Sequence, residues 1–264
     1  MAAWMVAGAA QAHDTWFEAV RGGAADPRGG APAVLALGTG TRFPVFQFPI
    51  GIEQIVASGC RGDDDRLATA APLALVLDRP TSILLRSAAP LAAGQATSCW
   101  AQLVPFEVEI DPPIVEIYLD EIQALPAVRA AWAEQLRRGV RWRESYTKHA
   151  RIELGRSAVP VATAPLPIGM DVTLQAPRRP VRAGDALVFQ ILRDGAPLAG
   201  LPVELHHEDG KPGAWRQTDA EGKARLAADR PGRWLLRGTD LGLSPTERDR
   251  WVSRFVTLAF EVVP

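Results

Sequence analysis

ALVFQILRDGAPLAGLPVELHH, residues 186–207, is the stretch that decides how this chain folds. Ala186 to Leu192 and Leu201 to His207 are short apolar runs that read as strands. Asp194-Gly195 between them is a strong turn signal, because an Asp-Gly pair accepts the positive φ angles of a tight hairpin. The same pattern continues on both sides. Asp171 to Gln175, the stretch after the turn Thr218-Asp219-Ala220-Glu221-Gly222, Trp234 to Arg237 and Phe255 to Val262 bring the total to about seven short strands, as in an immunoglobulin-like or transthyretin-like sandwich. Ala162 to Pro167 is linker-like, so this unit is expected over 166–264.

The first half also reads as strands: Asp14 to Val20, Ala33 to Leu37, Leu73 to Leu77, Ser82 to Ser87 and Cys99 to Ile110. Gly, Pro and Asp clusters such as Gly22-Gly23, Gly29-Gly30 and Asp63-Asp64-Asp65 separate them. Phe106 to Ile110 alternates apolar and acidic residues, the mark of a half-buried strand. The period then changes. Asp111-Pro112 can start a helix on which Ile114, Tyr118 and Ile122 recur at helical spacing. Pro126 restarts a second, with Val128, Ala131, Trp132 and Leu136 three or four apart until Gly139. The basic, aromatic run Val140 to Arg151 reads as a solvated helix face followed by a strand, although Glu144 and His149 within it are site candidates and its charge suits anionic headgroups. The fold class is therefore mainly β: two β-sandwich-like (immunoglobulin/transthyretin-like) domains, 13–161 and 166–264, with a short helical insert at about 112–149.

Composition narrows the function. The net charge of −1 over 264 residues gives no whole-chain case for binding nucleic acid. A hydrophobic content of 47% supports a packed core, and 22 Pro and 23 Gly scattered among short apolar runs suit many turns. The two cysteines, Cys60 and Cys99, are expected to form one disulfide in an oxidising compartment, the alternative being two buried thiols.

The N-terminus points to that compartment. Ala10-Gln11-Ala12 is an A-x-A site after a short apolar run, which signal peptidase reads, so residues 1–12 are expected to be a signal peptide. No Lys or Arg precedes the run, which suggests a truncated start; it is far short of the roughly 20 apolar residues of a membrane span. Cleavage would make His13 the first residue. An α-amine of reference pKa about 7.7–8.0 and an imidazole of about 6.5 on one residue can close a chelate ring around a transition-metal ion.

Several segments carry a family resemblance: Ala12 to Glu18 (AHDTWFE), Trp142 to Arg151 (WRESYTKHAR), Gly195 to Gly200 (GAPLAG), Thr218 to Gly222 (TDAEG) and Thr257 to Glu261 (TLAFE). In this order they resemble a family of secreted bacterial proteins of unknown function, often labelled nickel-uptake or nickel-transport family proteins. The resemblance implies a secreted location, a β-rich architecture and a bound metal.

The histidines are the candidate ligands. His13 leads, for the chelate just described. His206 and His207 are neighbours on one strand, so they face opposite sides, His206 with Glu204 and His207 with Val203 and Leu205. His149 stands beside Lys148 and Arg151, cations that favour a neutral imidazole yet repel a metal cation. No nucleophile elbow, Walker loop, His-Glu-x-x-His or dinucleotide fingerprint is present, so the sequence gives no positive case for catalysis. The expected function is a periplasmic binding protein for nickel, cobalt or copper that serves metal uptake or resistance, its partner a metal-transport or envelope protein. The alternative is a non-catalytic envelope module that binds a protein or glycan without metal, favoured if Trp215 or Trp251 forms a surface patch.

Overall fold

The computed structural model describes residues 13–20, 32–62, 72–90, 97–154, 166, 168–175 and 180–264. The signal-peptide expectation for residues 1–12 lies outside them. In chain order come β1 (Asp14–Ala19), β2 (Pro32–Gly40), β3 (Ile55–Gly62), β4 (Ala74–Asp78), β5 (Ser82–Pro90), β6 (Thr97–Leu103) and β7 (Phe106–Ile110). The helices α1 (Pro112–Glu121) and α2 (Pro126–Arg137) follow, then β8 (Trp142–Leu154). The second half holds β9 (Met170–Gln175), β10 (Ala186–Arg193), β11 (Ala196–Pro197), β12 (Pro202–His207) and β13 (Ala214–Gln217). It ends with β14 (Lys223–Ala227), β15 (Gly232–Leu243) and β16 (Trp251–Val262).

The protein is mainly β, and one sheet organises it. Its strands run β13-β12-β15-β16-β8-β6-β3, with β7 also paired to β8. The β8–β16 pairing is parallel and every other pairing in this sheet is antiparallel. This sheet is covered on both faces. On one face β10, with β9, β11 and β14 paired to it, closes a core of Val203, Leu205, Leu236, Val256, Leu258 and Phe189. On the other face β1-β2-β5-β4 closes a second core of Phe17, Leu35, Leu37, Ala101, Ile152 and Ala259. The two sandwiches thus share a layer, and the sequence on either side of the expected 161–166 boundary contributes to one sheet.

The helices extend that second face. Trp132 meets Trp142 edge-on at 5.3 Å, and Trp142 stacks on Trp251 at 4.5 Å. Tyr118 and Ile122 are buried as their spacing predicts, but Leu136 is exposed and Gln135 is buried in its place. Gln135 accepts a hydrogen bond from the Trp251 indole at 2.7 Å, which gives that N–H the partner a buried indole requires. Glu144 lies buried here with no ion pair among the described residues, accepting from Trp142 Nε1 at 2.8 Å, Tyr118 at 3.0 Å and Ser253. Burial pushes its carboxyl up from the usual range, against these three donors.

The helical insert expected over about 112–149 is helical only to Arg137. From Trp142 the chain is a strand, because the residue types alternate with period two and both sets have partners. Trp142, Glu144, Tyr146, Lys148 and Ala150 face the helices and β1. Ser145, Thr147, His149 and Arg151 share the opposite face, as their register with Val252, Arg254, Val256 and Leu258 requires. Arg151 is buried yet saturated: Nη1 reaches Asp171 at 3.0 Å, Nε Glu153 at 2.8 Å and Nη2 Ser98 at 2.7 Å. Cys99 to Ile110, read as one run, is two strands broken at Val104-Pro105. The disulfide is present: Cys60 and Cys99 are directly opposed on β3 and β6, with Cα atoms 4.0 Å apart. It joins the strand that leaves the central sheet for β4 and β5 to the strand that returns.

Candidate functional site

The start of β1 is held against the central sheet. Thr257 of β16 donates to the Thr15 carbonyl at 2.6 Å, and the hydroxyls of Thr15 and Thr39 lie 2.7 Å apart. Asp14 accepts from Arg237 Nη1 at 3.1 Å. The same guanidinium gives Nε and Nη2 to Glu204 Oε2 at 3.0 and 2.7 Å, and lies over the Trp215 ring at 5.7 Å. Glu204, Arg237 and Thr257 are register partners on adjacent strands, so this polar row follows from strand pairing alone. His206 Nε2 stands 2.6 Å from Glu204 Oε2. Burial of Glu204 favours its neutral form, yet His206 and Arg237 outweigh it and hold the carboxyl below its ordinary value.

Beside this row is a cavity of about 340 Å³ walled by Asp14, Trp16, Arg42, Phe43, His206 and Arg237. Arg42 reaches it from the loop after β2 and lies on Gly210, where a Cβ would come within 2.5 Å of the guanidinium. His13 immediately precedes Asp14, its ring 4.2 Å from that of Phe48. Burial and then the Lys148 charge lower its pKa, with Asp14 opposing, so its imidazole is neutral at neutral pH. Lys148 is buried and makes no hydrogen bond or ion pair among the described residues; its ammonium lies 5.6 Å from the Tyr146 ring centroid. Burial brings its pKa down to about 8, against the attraction of Asp14.

The other two histidines belong to the opposite face. His149 is in register with Val256, and its Nδ1 lies 3.1 Å from the Phe255 carbonyl, so Nδ1–H donates. Its Nε2 is buried without a partner among the described residues, against Gly169, and burial takes its pKa down to about 4. His207 packs on Trp234 with ring centroids 4.8 Å apart. Its Nε2–H donates to the Pro231 carbonyl at 3.0 Å and its Nδ1 accepts from the Asp209 amide at 3.2 Å. Both nitrogens of His207 are thus engaged, which leaves no lone pair for a metal.

So the structure does not gather the four histidines. His206 and the residue after His13 share one cavity wall, while His149 and His207 lie across the sheet. Among the described residues, no group of three or more His, Cys, Asp or Glu is placed to hold a metal ion. A processed His13 would bring two nitrogens on one residue, whereas His206 lines the cavity with Asp14, and His13 is not among the residues of that wall. These donors suit nickel or copper, but Asp14 and Glu204 are committed to Arg237. The fit is that of an incomplete donor set. The residues that shape the cavity without having been expected are Arg42 and Arg237. Their only signal was position on strands or turns, and their partners are remote in sequence.

Comparison with known proteins gives a match over part of the chain. Residues 133–239 match a domain of unknown function, DUF4198. The match runs from α2 to β15; it includes His149, His206, His207 and Arg237 and ends short of the β16 strand, and it does not reach His13. The DUF4198 description carries no nickel label. No curated protein matches the chain. Among solved structures, the D0-D1 domain of intimin aligns over 94% of this chain and 97% of that chain at 11% identity. Its TM-score of 0.22 is too low to carry an argument.

Proposed function

We propose that this is a non-catalytic, exported binding protein for a divalent transition metal, nickel, cobalt or copper, anchored by His13. The observation that carries the reading is the placement of His13. Its imidazole is kept neutral, as coordination requires, and the next residue, Asp14, shares a cavity wall with His206. Cleavage after Ala12 would add an α-amine at the same place. A Cys60–Cys99 disulfide agrees with residence in the periplasm or another oxidising compartment outside the cytoplasm. The partner on this reading is a metal-transport or envelope protein that accepts the ion.

Calorimetric titration of Ni(II) and Cu(II) into three proteins tests this: chain beginning at His13, the same chain with a preceding Met, and His13→Ala. The first binds at least about tenfold more tightly than the others, a difference of about 1.4 kcal/mol. Equal binding by all three removes His13 from the site.

The second reading, an envelope module that binds a protein or glycan without metal, is supported by a different surface. Val45, Phe48, Ile52 and Val56 are exposed within one short stretch. The tryptophans expected to favour it do not, since Trp251 is fully buried and Trp215 lies beneath Arg237.

A further inference from the structure

A second cavity lies at the far end of β1 from His13, where the parallel pair β8 and β16 comes apart. Their register ends at Ile152 and Ala259, yet β16 runs on to Val262 and β8 to Leu154, which stays paired to Thr97 of β6. Past Ala259 another segment takes the place beside β16. Arg182 bridges Val263 in parallel, and the Val263 amide donates to the Val181 carbonyl at 2.8 Å. Between the departing strand and the arriving segment is a space of about 680 Å³, the size of a small-molecule site.

Its wall is mostly apolar, with Phe17, Ile152, Leu154, Val181, Trp234 and Phe260 among the lining residues. The charged residues of the described wall are Glu18, Glu153 and Glu261 against Arg233. Glu153 is answered by Arg151 from outside the wall, but Arg151 is shared with Asp171 and Arg233 with Glu208, so acidic groups stay in excess. Most polar atoms here are engaged. Glu153 also accepts from Ser98, Glu261 has a partner, and the Trp234 indole donates to the Arg230 carbonyl at 3.0 Å. Glu18 is the exception. Its Oε2 lies 3.3 Å from Arg233, while its Oε1 is sealed from solvent with no hydrogen-bond partner among the described residues. Burial raises the carboxyl's pKa, with the Arg233 charge and then the Trp16 indole, itself unpartnered there, opposing. A buried acceptor left unpaired is costly, and a charged donor brought to it makes a strong bond in apolar surroundings.

We propose that this cavity binds a small hydrophobic amine, its apolar body against Phe17, Leu154 and Phe260 and its ammonium on Glu18. The excess of carboxylates selects the cation over an anion of the same shape, and the apolar wall supplies the affinity for the tail. The site is separate from the one built on His13 and does not depend on the metal reading.

Isothermal titration calorimetry at neutral pH tests this with octylamine, octanol and octanoate, which share one tail and differ in the head. The amine is then a cation, since an alkylammonium has a pKa of about 10.4. It is expected to bind the chain beginning at His13 at least about tenfold more tightly than octanol, and octanoate more weakly than either. Across hexylamine, octylamine and decylamine the affinity should rise about fourfold per methylene, as burial of the tail requires. Glu18→Gln, checked for native circular dichroism, brings octylamine down to octanol and leaves octanol unchanged. Val263→Trp, a bulkier residue on the same wall, weakens both. Tightest binding of octanoate, equal affinity for the three heads, or an octylamine affinity that Glu18→Gln leaves unchanged overturns the proposal. So does an affinity independent of tail length, which marks ion pairing at the surface, or no binding of any probe, which marks a cavity closed to ligands.

Discussion

Asp14 Oδ2 lies 3.1 Å from Nη1 of Arg237, a contact that joins strands 223 residues apart in sequence. It fixes the first described strand to the centre of the shared sheet, and it does so with a guanidinium that also holds Glu204. Burial works against the charge on Arg237, but Asp14 and Glu204 together raise its pKa from an already high value. The position of His13 is therefore set by an ion triad inside the fold.

Removal of the cation should be far costlier than removal of one anion. Arg237→Met leaves Asp14 and Glu204 facing each other without compensation, and a broken buried pair costs about 3–5 kcal/mol. Urea unfolding of Arg237→Met should show a loss of that order, and Asp14→Asn a smaller one. Equal losses, or none, would show that the triad is not what holds β1.

Acid should unfold the protein partly through His149. Its pKa is about 4 in the folded chain against about 6.5 when unfolded. Because the folded value is depressed, the stability it contributes is complete above about pH 6.5 and is lost as pH falls through about 4. The amount is up to about 3 kcal/mol. His149→Asn keeps a donor for the Phe255 carbonyl and cannot titrate. Thermal melts between pH 7 and pH 4 should therefore fall less steeply for this variant than for wild type, and parallel curves would refute the assignment.

The disulfide closes a stretch of 39 residues that includes β4 and β5. On the loop-entropy model such a closure is worth about 4 kcal/mol. The Cys60→Ala/Cys99→Ala double variant should lose stability of that size in denaturant titration, whereas thiol counting on unreduced, denatured protein should find no free thiol.

What the sequence disclosed, it disclosed through local signals. Asp194 and Gly195 have φ of 50° and 78°, the hairpin geometry their identities imply, and Pro112 and Pro126 each open a helix. β8 escaped the same reading. Its charged residues look solvated to any local measure, yet Arg151 is buried because Asp171 and Ser98 meet it, and Lys148 because the start of β1 covers it. The site was legible in part for the same reason. The opposite facing of His206 and His207 follows from strand alternation, and the structure shows it. That Arg42 and Arg237 would line one cavity with Asp14 depends on contacts between segments distant in sequence, which no local period encodes.

The central claim is that His13 ligates the metal through both its nitrogens. Electron paramagnetic resonance of one equivalent of Cu(II) on the chain beginning at His13 tests it most directly. The expected result is nitrogen hyperfine structure simplified by one nitrogen when a Met precedes His13, which removes the amine, and likewise in His13→Ala, which removes the imidazole. Identical spectra from all three proteins would contradict it.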